Sequence, residues 1–125
     1  MAVIDNKDLQ YMDSIESFLE KRLTNLIDIH MDDVQLSLQL NGISKLIVNV
    51  RVCTPTYLRK LLSFLIPICK THCIRTICIR TSSKTIQNYC LNICHFQEDR
   101  FKKIKLDNEV FTDYILNINN IGILH

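Results

Sequence analysis

Val34-Gln-Leu-Ser-Leu-Gln-Leu-Asn-Gly-Ile-Ser-Lys-Leu-Ile-Val-Asn-Val-Arg-Val52 is the stretch that decides the fold class. Val34, Leu36, Leu38 and Leu40 alternate with Gln35, Ser37 and Gln39. Leu46, Val48, Val50 and Val52 alternate with Ile47, Asn49 and Arg51. Successive side chains of a strand point to opposite faces, so each run reads as a strand. Asn41-Gly42 between them marks a hairpin. A two-residue loop would oppose Leu40 to Ile43 and set the two apolar rows on opposite faces. A three- or five-residue loop pairs even with even and puts both rows on one face, so the longer turn is expected.

Outward toward the N-terminus the period changes. Leu9, Met12, Ile15, Leu19, Leu23 and Leu26 recur at threes and fours, widened by Phe18 and Ile27, which predicts a helix over 8–29. Asp5, Asp8 and Asp13 near its start suit the helix dipole. Toward the C-terminus, Thr54-Pro55 opens a second helix, with Leu58, Leu61, Leu62 and Leu65 as its buried stripe. Pro67 should stop or kink it near Ile66. Residues 74–80 read as a buried strand. Over 84–99, Ile86, Tyr89, Cys90, Ile93 and Cys94 favour a helical face, although Tyr89, Leu91 and Ile93 also fit strand alternation. Phe101 to Leu106 reads as a short basic strand. Asp107 or Asn108 then caps a last helix with Val110, Phe111, Tyr114 and Ile118 inside. Asn119-Asn120 ends it, and Ile121 to His125 returns as an edge strand.

This order predicts an α+β domain: an N-terminal amphipathic helix, then a small mixed or antiparallel sheet packed against two helices in a ferredoxin-like arrangement. Residues 1–33 form an acidic helical extension, and 34–125 a single basic domain. At 125 residues, 47% apolar and 22% charged, the chain has the size of one domain and is not disordered. No apolar run is long enough to span a bilayer, so no membrane partner is expected. Ile (18), Asn (10) and Lys (9) are abundant while Ala occurs once, which suggests an AT-biased genome. No targeting signal is expected from the acidic N-terminus, and six Cys without a secreted-domain pattern suggest a reducing compartment and no secretion.

Four of those thiols offer a zinc reading. Cys69-x3-Cys73 and Cys90-x3-Cys94 could supply a tetrahedral set. Both pairs lie in apolar surroundings without glycine, where Cys packs as a small hydrophobe, so no metal is expected. His72 and His95 adjoin Cys73 and Cys94, but neighbours in sequence rarely face each other, and no Cys–His nucleophile is expected. Two glycines leave no phosphate loop. The expectation is a chain that is not an enzyme and has no cofactor.

The charge is the remaining signal. The net of +2 divides into −5 over residues 1–44 and +7 over 45–125. Arg75, Arg80, Lys84, Arg100, Lys102, Lys103 and Lys105 can neutralise phosphates, with Thr81, Ser82 and Ser83 adding hydrogen bonds. Tyr89, Phe96 and Phe101 lie among them and could stack on unpaired bases. These seven basic residues are the expected RNA-binding set, weighed against a plain solvated face.

Three passages carry a family resemblance: Lys45 to Val52, Thr76 to Lys84, and Phe96 to Leu106 running into Asn108 to Ile123. Together they resemble the small-subunit ribosomal protein S-ten family, especially its organelle-encoded members, while residues 1–44 have no counterpart. The resemblance implies a structural rRNA-binding component of the small ribosomal subunit. Its partners would be ribosomal RNA and neighbouring small-subunit proteins, with no small-molecule substrate. It would act in translation, in the mitochondrial matrix if organelle-encoded and otherwise in the cytoplasm. The alternative is a non-enzymatic protein-interaction component: residues 34–80 also look like the C-terminal domain of type III secretion length regulators, and a large DNA virus is a further source.

Overall fold

The computed structural model describes residues 6–22, 26–31, 33–94, 96–106 and 108–118; in 6–11, 31, 99–104 and 106 it describes the backbone alone. In chain order the elements are α1 (Asn6–Lys21), β1 (Leu26–Met31), β2 (Val34–Asn41), β3 (Lys45–Val52), α2 (Pro55–Thr71), β4 (Thr76–Thr81), α3 (Lys84–Asn88), β5 (Gln97–Leu106) and β6 (Glu109–Asn117). α3 runs on into one wide π-helical turn, Tyr89–Ile93. Six strands form one sheet in the order β1-β2-β3-β4-β6-β5. β3 and β4 are parallel and the other neighbours antiparallel.

The β2–β3 hairpin takes the longer turn that the apolar pattern requires. Asn41 pairs with Lys45, leaving Gly42, Ile43 and Ser44 as the loop, with Gly42 at φ +70. Leu40 then opposes Leu46 and Leu38 opposes Val48, so both apolar rows share a face. A parallel neighbour needs a crossover, and α2 supplies it between β3 and β4. Thr54 caps α2 by accepting the Tyr57 N–H at 3.1 Å, and Pro55 follows in the first turn. Leu58, Leu61, Leu62, Leu65 and Cys69 are buried against the sheet. Ile15, Phe18 and Leu19 of α1 and Ile86 and Cys90 beyond β4 join the same core, together with Leu38, Leu46, Val48, Ile77, Ile79 and Tyr114.

The α+β class therefore holds. The ferredoxin-like arrangement is not confirmed by this six-stranded sheet. Four local expectations are corrected. First, the helix expected over 8–29 ends at Lys21, because Arg22 turns the chain at φ +51. Leu26 to Met31 then pairs with β2, and the two apolar residues that continued the helical count, Leu26 and Ile27, open that strand, Leu26 exposed and Ile27 packed on the core. Second, α2 continues through Pro67 to Thr71. Pro67 is exposed and costs one backbone bond, while Cys69 beyond it is fully buried, so the packing of the last turn outweighs that loss. Third, the basic strand starts at Gln97 and not at Phe101. Fourth, the last helix is a strand. Asn108 sits at φ +64 in the two-residue turn joining β5 to β6, a hairpin position and not a helix cap. Phe111, Thr112, Asp113 and Tyr114 are all buried, because β6 lies between β4 and β5. A strand buried on both faces shows no alternation, and its apolar spacing then passes for a helix. The edge strand expected at 121–125 and the Asn119-Asn120 stop lie outside the described residues.

Candidate functional site

The sheet has two unlike faces. The three helices share one core with the residues of the first, and no helix covers the second among the described residues. Register assigns its occupants. Asp28 pairs with Ser37, Ser37 with Asn49, Asn49 with Arg80, and Arg80 with Asp113. One polar row thus crosses five neighbouring strands, β1-β2-β3-β4-β6. Register and the two-residue side-chain period place these five residues on one face, where Ile47 and Cys78 of β3 and β4 are buried beside them.

At the β1–β3 end the row opens into a groove of about 270 Å³ whose polar wall is Asp28, His30, Gln35, Ser37, Asn49 and Arg51. Ser37 and Asn49 are half-buried on its floor, and Asp28 and Arg51 are exposed at its sides. Among the described residues, the side chains of Asp28, Ser37, Asn49 and Arg51 form no hydrogen bond or ion pair. Two opposite charges therefore face one cavity without pairing with each other.

At the β4–β6 end the polar groups are spent. Arg80 meets Asp113 in a two-pronged pair, Nε to Oδ1 at 2.7 Å and Nη2 to Oδ2 at 3.0 Å. Asp113 is fully buried. Cys78, on the same face of β4, has its thiol pushed up to about 12, chiefly by burial and further by the Asp113 charge. Burial alone does the same to Cys69, while Cys90 adds the neighbouring Cys94 and Cys78 to a similar rise. Such thiols stay protonated at neutral pH and are poor nucleophiles.

Helices α2 and α3 begin at the carboxyl ends of the parallel strands, where α/β sheets often hold ligands. Part of the donor set is taken there: Pro55 has no N–H, Tyr57 N–H goes to Thr54, Ile86 N–H goes to Ser83 at 3.4 Å, and Ser83 N–H goes to Thr81 at 3.1 Å.

The expected RNA-binding residues are dispersed. Arg75 precedes β4 at one end, and Arg80 lies at the other with its guanidinium on Asp113. Lys84 is exposed at the start of α3 and Lys105 is exposed on β5. Arg100, Lys102 and Lys103 lie along the β5 backbone, with side chains outside the described residues. Phe96 is buried in the core and Tyr89 packs against it, so neither offers a free stacking face. No group of three or more His, Cys, Asp or Glu that could hold a metal occurs among the described residues. No helix there is long and apolar enough to cross a membrane. Of the groove residues, Asp28 falls inside the helix expected over 8–29 and His30 just past its end. Their signal was the alternation Leu26-Ile-Asp-Ile-His-Met31.

No protein-family model and no curated protein matches the chain. Solved structures do. Aminoglycoside 6'-acetyltransferase type Ii is 14% identical at a TM-score of 0.48, over 90% of this chain and 82% of that one. A probable acetyltransferase from Staphylococcus epidermidis is 22% identical at 0.47, over 92% and 94%. An Agrobacterium tumefaciens protein described as an acetyltransferase is 14% identical at 0.47, over 94% and 96%. These are loose likenesses in the course of the chain and say nothing of its chemistry.

The ribosomal reading is corrected on these findings. It required a helix where residues 109–117 form a central strand, and the similar structures are acetyltransferases and not ribosomal proteins. The roles drawn from it go too: rRNA and small-subunit partners, RNA binding, mitochondrial translation, and a non-enzymatic chain without a small-molecule substrate. The secretion-regulator and viral alternatives find no support either.

Proposed function

We propose that this chain is a small-molecule-binding domain, with the groove over β1, β2 and β3 as its binding site and acyl transfer as the candidate chemistry. The observation that carries the reading is the groove itself: about 270 Å³ on the second face, where Asp28, Ser37, Asn49 and Arg51 form no hydrogen bond or ion pair among the described residues. Ligand sites are concave and carry a few convergent polar groups, and this cavity has both features. Acyl transfer is the activity named for the similar structures, and it enters as the reaction to be tested.

The test is direct. The purified chain is titrated with acetyl-CoA and with a panel of amines, amino acids and sugars, and release of the free thiol is followed. Saturable binding of a small molecule that is weakened by Arg51→Gln supports the reading. Thiol release that depends on that molecule supports acyl transfer. No saturable small-molecule binding overturns the site, and binding without thiol release overturns the chemistry alone.

A further inference from the structure

We propose that the groove takes a small zwitterion of the α-amino-acid class, its ammonium on Asp28 and its carboxylate on Arg51. This rests on the groove being the binding site. Its argument is the placement of charge: Asp28 on β1 and Arg51 on β3 face one cavity, and neither is in an ion pair among the described residues. A ligand with one charge would satisfy one wall and leave the other opposed to nothing.

Reach sets the class more narrowly. β1 and β3 are second neighbours, about 10 Å apart at the usual strand spacing. Asp28 is in register with Ser37 and Asn49, and Arg51 stands two residues further along β3, on the same face. Strand side chains stand roughly perpendicular to the sheet, so the two charged ends stay about as far apart as the strands. Two hydrogen bonds of about 2.9 Å and the few ångströms between the ammonium and carboxylate of an α-amino acid span that gap. The guanidinium fork suits a carboxylate in a bidentate pair, whereas an amine alone would leave it unused. Ser37 and Asn49 on the floor supply hydrogen-bond donors and acceptors for a polar side chain, and a groove of about 270 Å³ has room for a whole amino acid.

The test uses the full chain and the twenty common L-amino acids, screened singly by thermal shift and followed by calorimetry on the best. At least one is expected to bind at millimolar concentration or better. Its decarboxylated amine and its N-acetyl derivative are each expected to bind at least tenfold more weakly. Asp28→Asn and Arg51→Gln, both at exposed positions, are expected to keep the native circular dichroism and to weaken the amino acid about tenfold. Arg51→Gln should also abolish the preference for the amino acid over its amine. The proposal is overturned if no amino acid binds, if the amine or the acetylated form binds equally well, or if neither variant weakens binding. Should an uncharged or singly charged molecule bind instead and be lost in Arg51→Gln, the groove stands as the site and the zwitterion falls. If nothing binds in the groove, both fall.

Discussion

The two faces of the sheet are built from the same strands and obey opposite rules. On the covered face, Leu38, Leu46, Val48, Ile77 and Ile79 are sealed under α1, α2 and the segment after β4. On the open face, one residue out of step, Asp28, Ser37, Asn49, Arg80 and Asp113 form a polar row. Burial on the first face supplies the folding energy, roughly 25 cal/mol for each Å² of apolar surface removed from water. The second face contributes less to stability and holds the chemistry. Period two lets both coexist, since a change at one parity hardly touches the other.

The largest expected effect tests that separation. Leu38→Asp places a carboxylate in the sealed core, where desolvating it exceeds the whole stability of a domain this size. The variant should be unfolded by circular dichroism. Ser37→Asp, the adjacent residue on the open face, should fold and melt within a few degrees of the parent. A folded Leu38→Asp, or an unfolded Ser37→Asp, would break the comparison.

Asp113 is where the open face behaves like a core, and it gives the next largest effect. Removing a buried partner strands the other charge, at about 3–5 kcal/mol for a fully buried pair. Arg80 keeps 18% of its side chain exposed, so Asp113→Ala should cost about 3 kcal/mol in urea unfolding. The paired change Arg80→Met with Asp113→Leu should recover most of it. A double variant as unstable as the single one would mean that the pair itself, and not the stranded arginine, sets the cost.

These contrasts also explain how much of the molecule was legible beforehand. The β2–β3 hairpin is half-buried, so its alternation and even its loop length could be read from Leu36 to Val50. The α2 start was legible through Thr54 and Pro55, whose effects are local. β6 was not legible, because burial on both faces erases alternation and its pairing with β4 is long-range. β1 was lost because four residues separate it from α1 and its apolar positions continue the helical count. The groove was lost with it. Asp28 and His30, two of its six polar wall residues, stand on the strand whose start continues the helical pattern, and the charge count points instead to Arg80, whose guanidinium is already bound to Asp113.

Alkaline pH should erode both faces together. Cys69 and Cys90 on the covered face and Cys78 on the open one are raised from an ordinary 9.0 to about 12 by burial. A thiol raised in the folded state stays protonated there while the unfolded chain loses its proton above pH 9, so stability falls as pH rises from 9 toward 12. Between pH 8 and 9.5 the three together should remove on the order of 2 kcal/mol. Urea midpoints across that range measure it. Cys78→Ala should flatten the slope by about a third, and an unchanged slope would locate the titration elsewhere.

The smallest effect isolates stability from the groove. Thr54 lies where β3 leaves the sheet and α2 begins, three residues from Arg51 and outside the groove wall. Its hydroxyl accepts the Tyr57 N–H at 3.1 Å, and Leu58 N–H bonds the Thr54 carbonyl at 3.0 Å. Thr54→Ala deletes the first of these and leaves the second, which costs about 1 kcal/mol at a helix N-terminus. Thr54→Ser keeps an oxygen at the same place and should restore nearly all of it. Neither variant alters a side chain facing Asp28 or Arg51, so the affinity of any amino acid found to bind should stay within twofold of the parent in both. A drop in affinity that tracks the lost stability would mean that the groove depends on the α2 start. In that case its wall extends past Arg51 to the carboxyl end of β3, and the two faces are coupled where that strand ends.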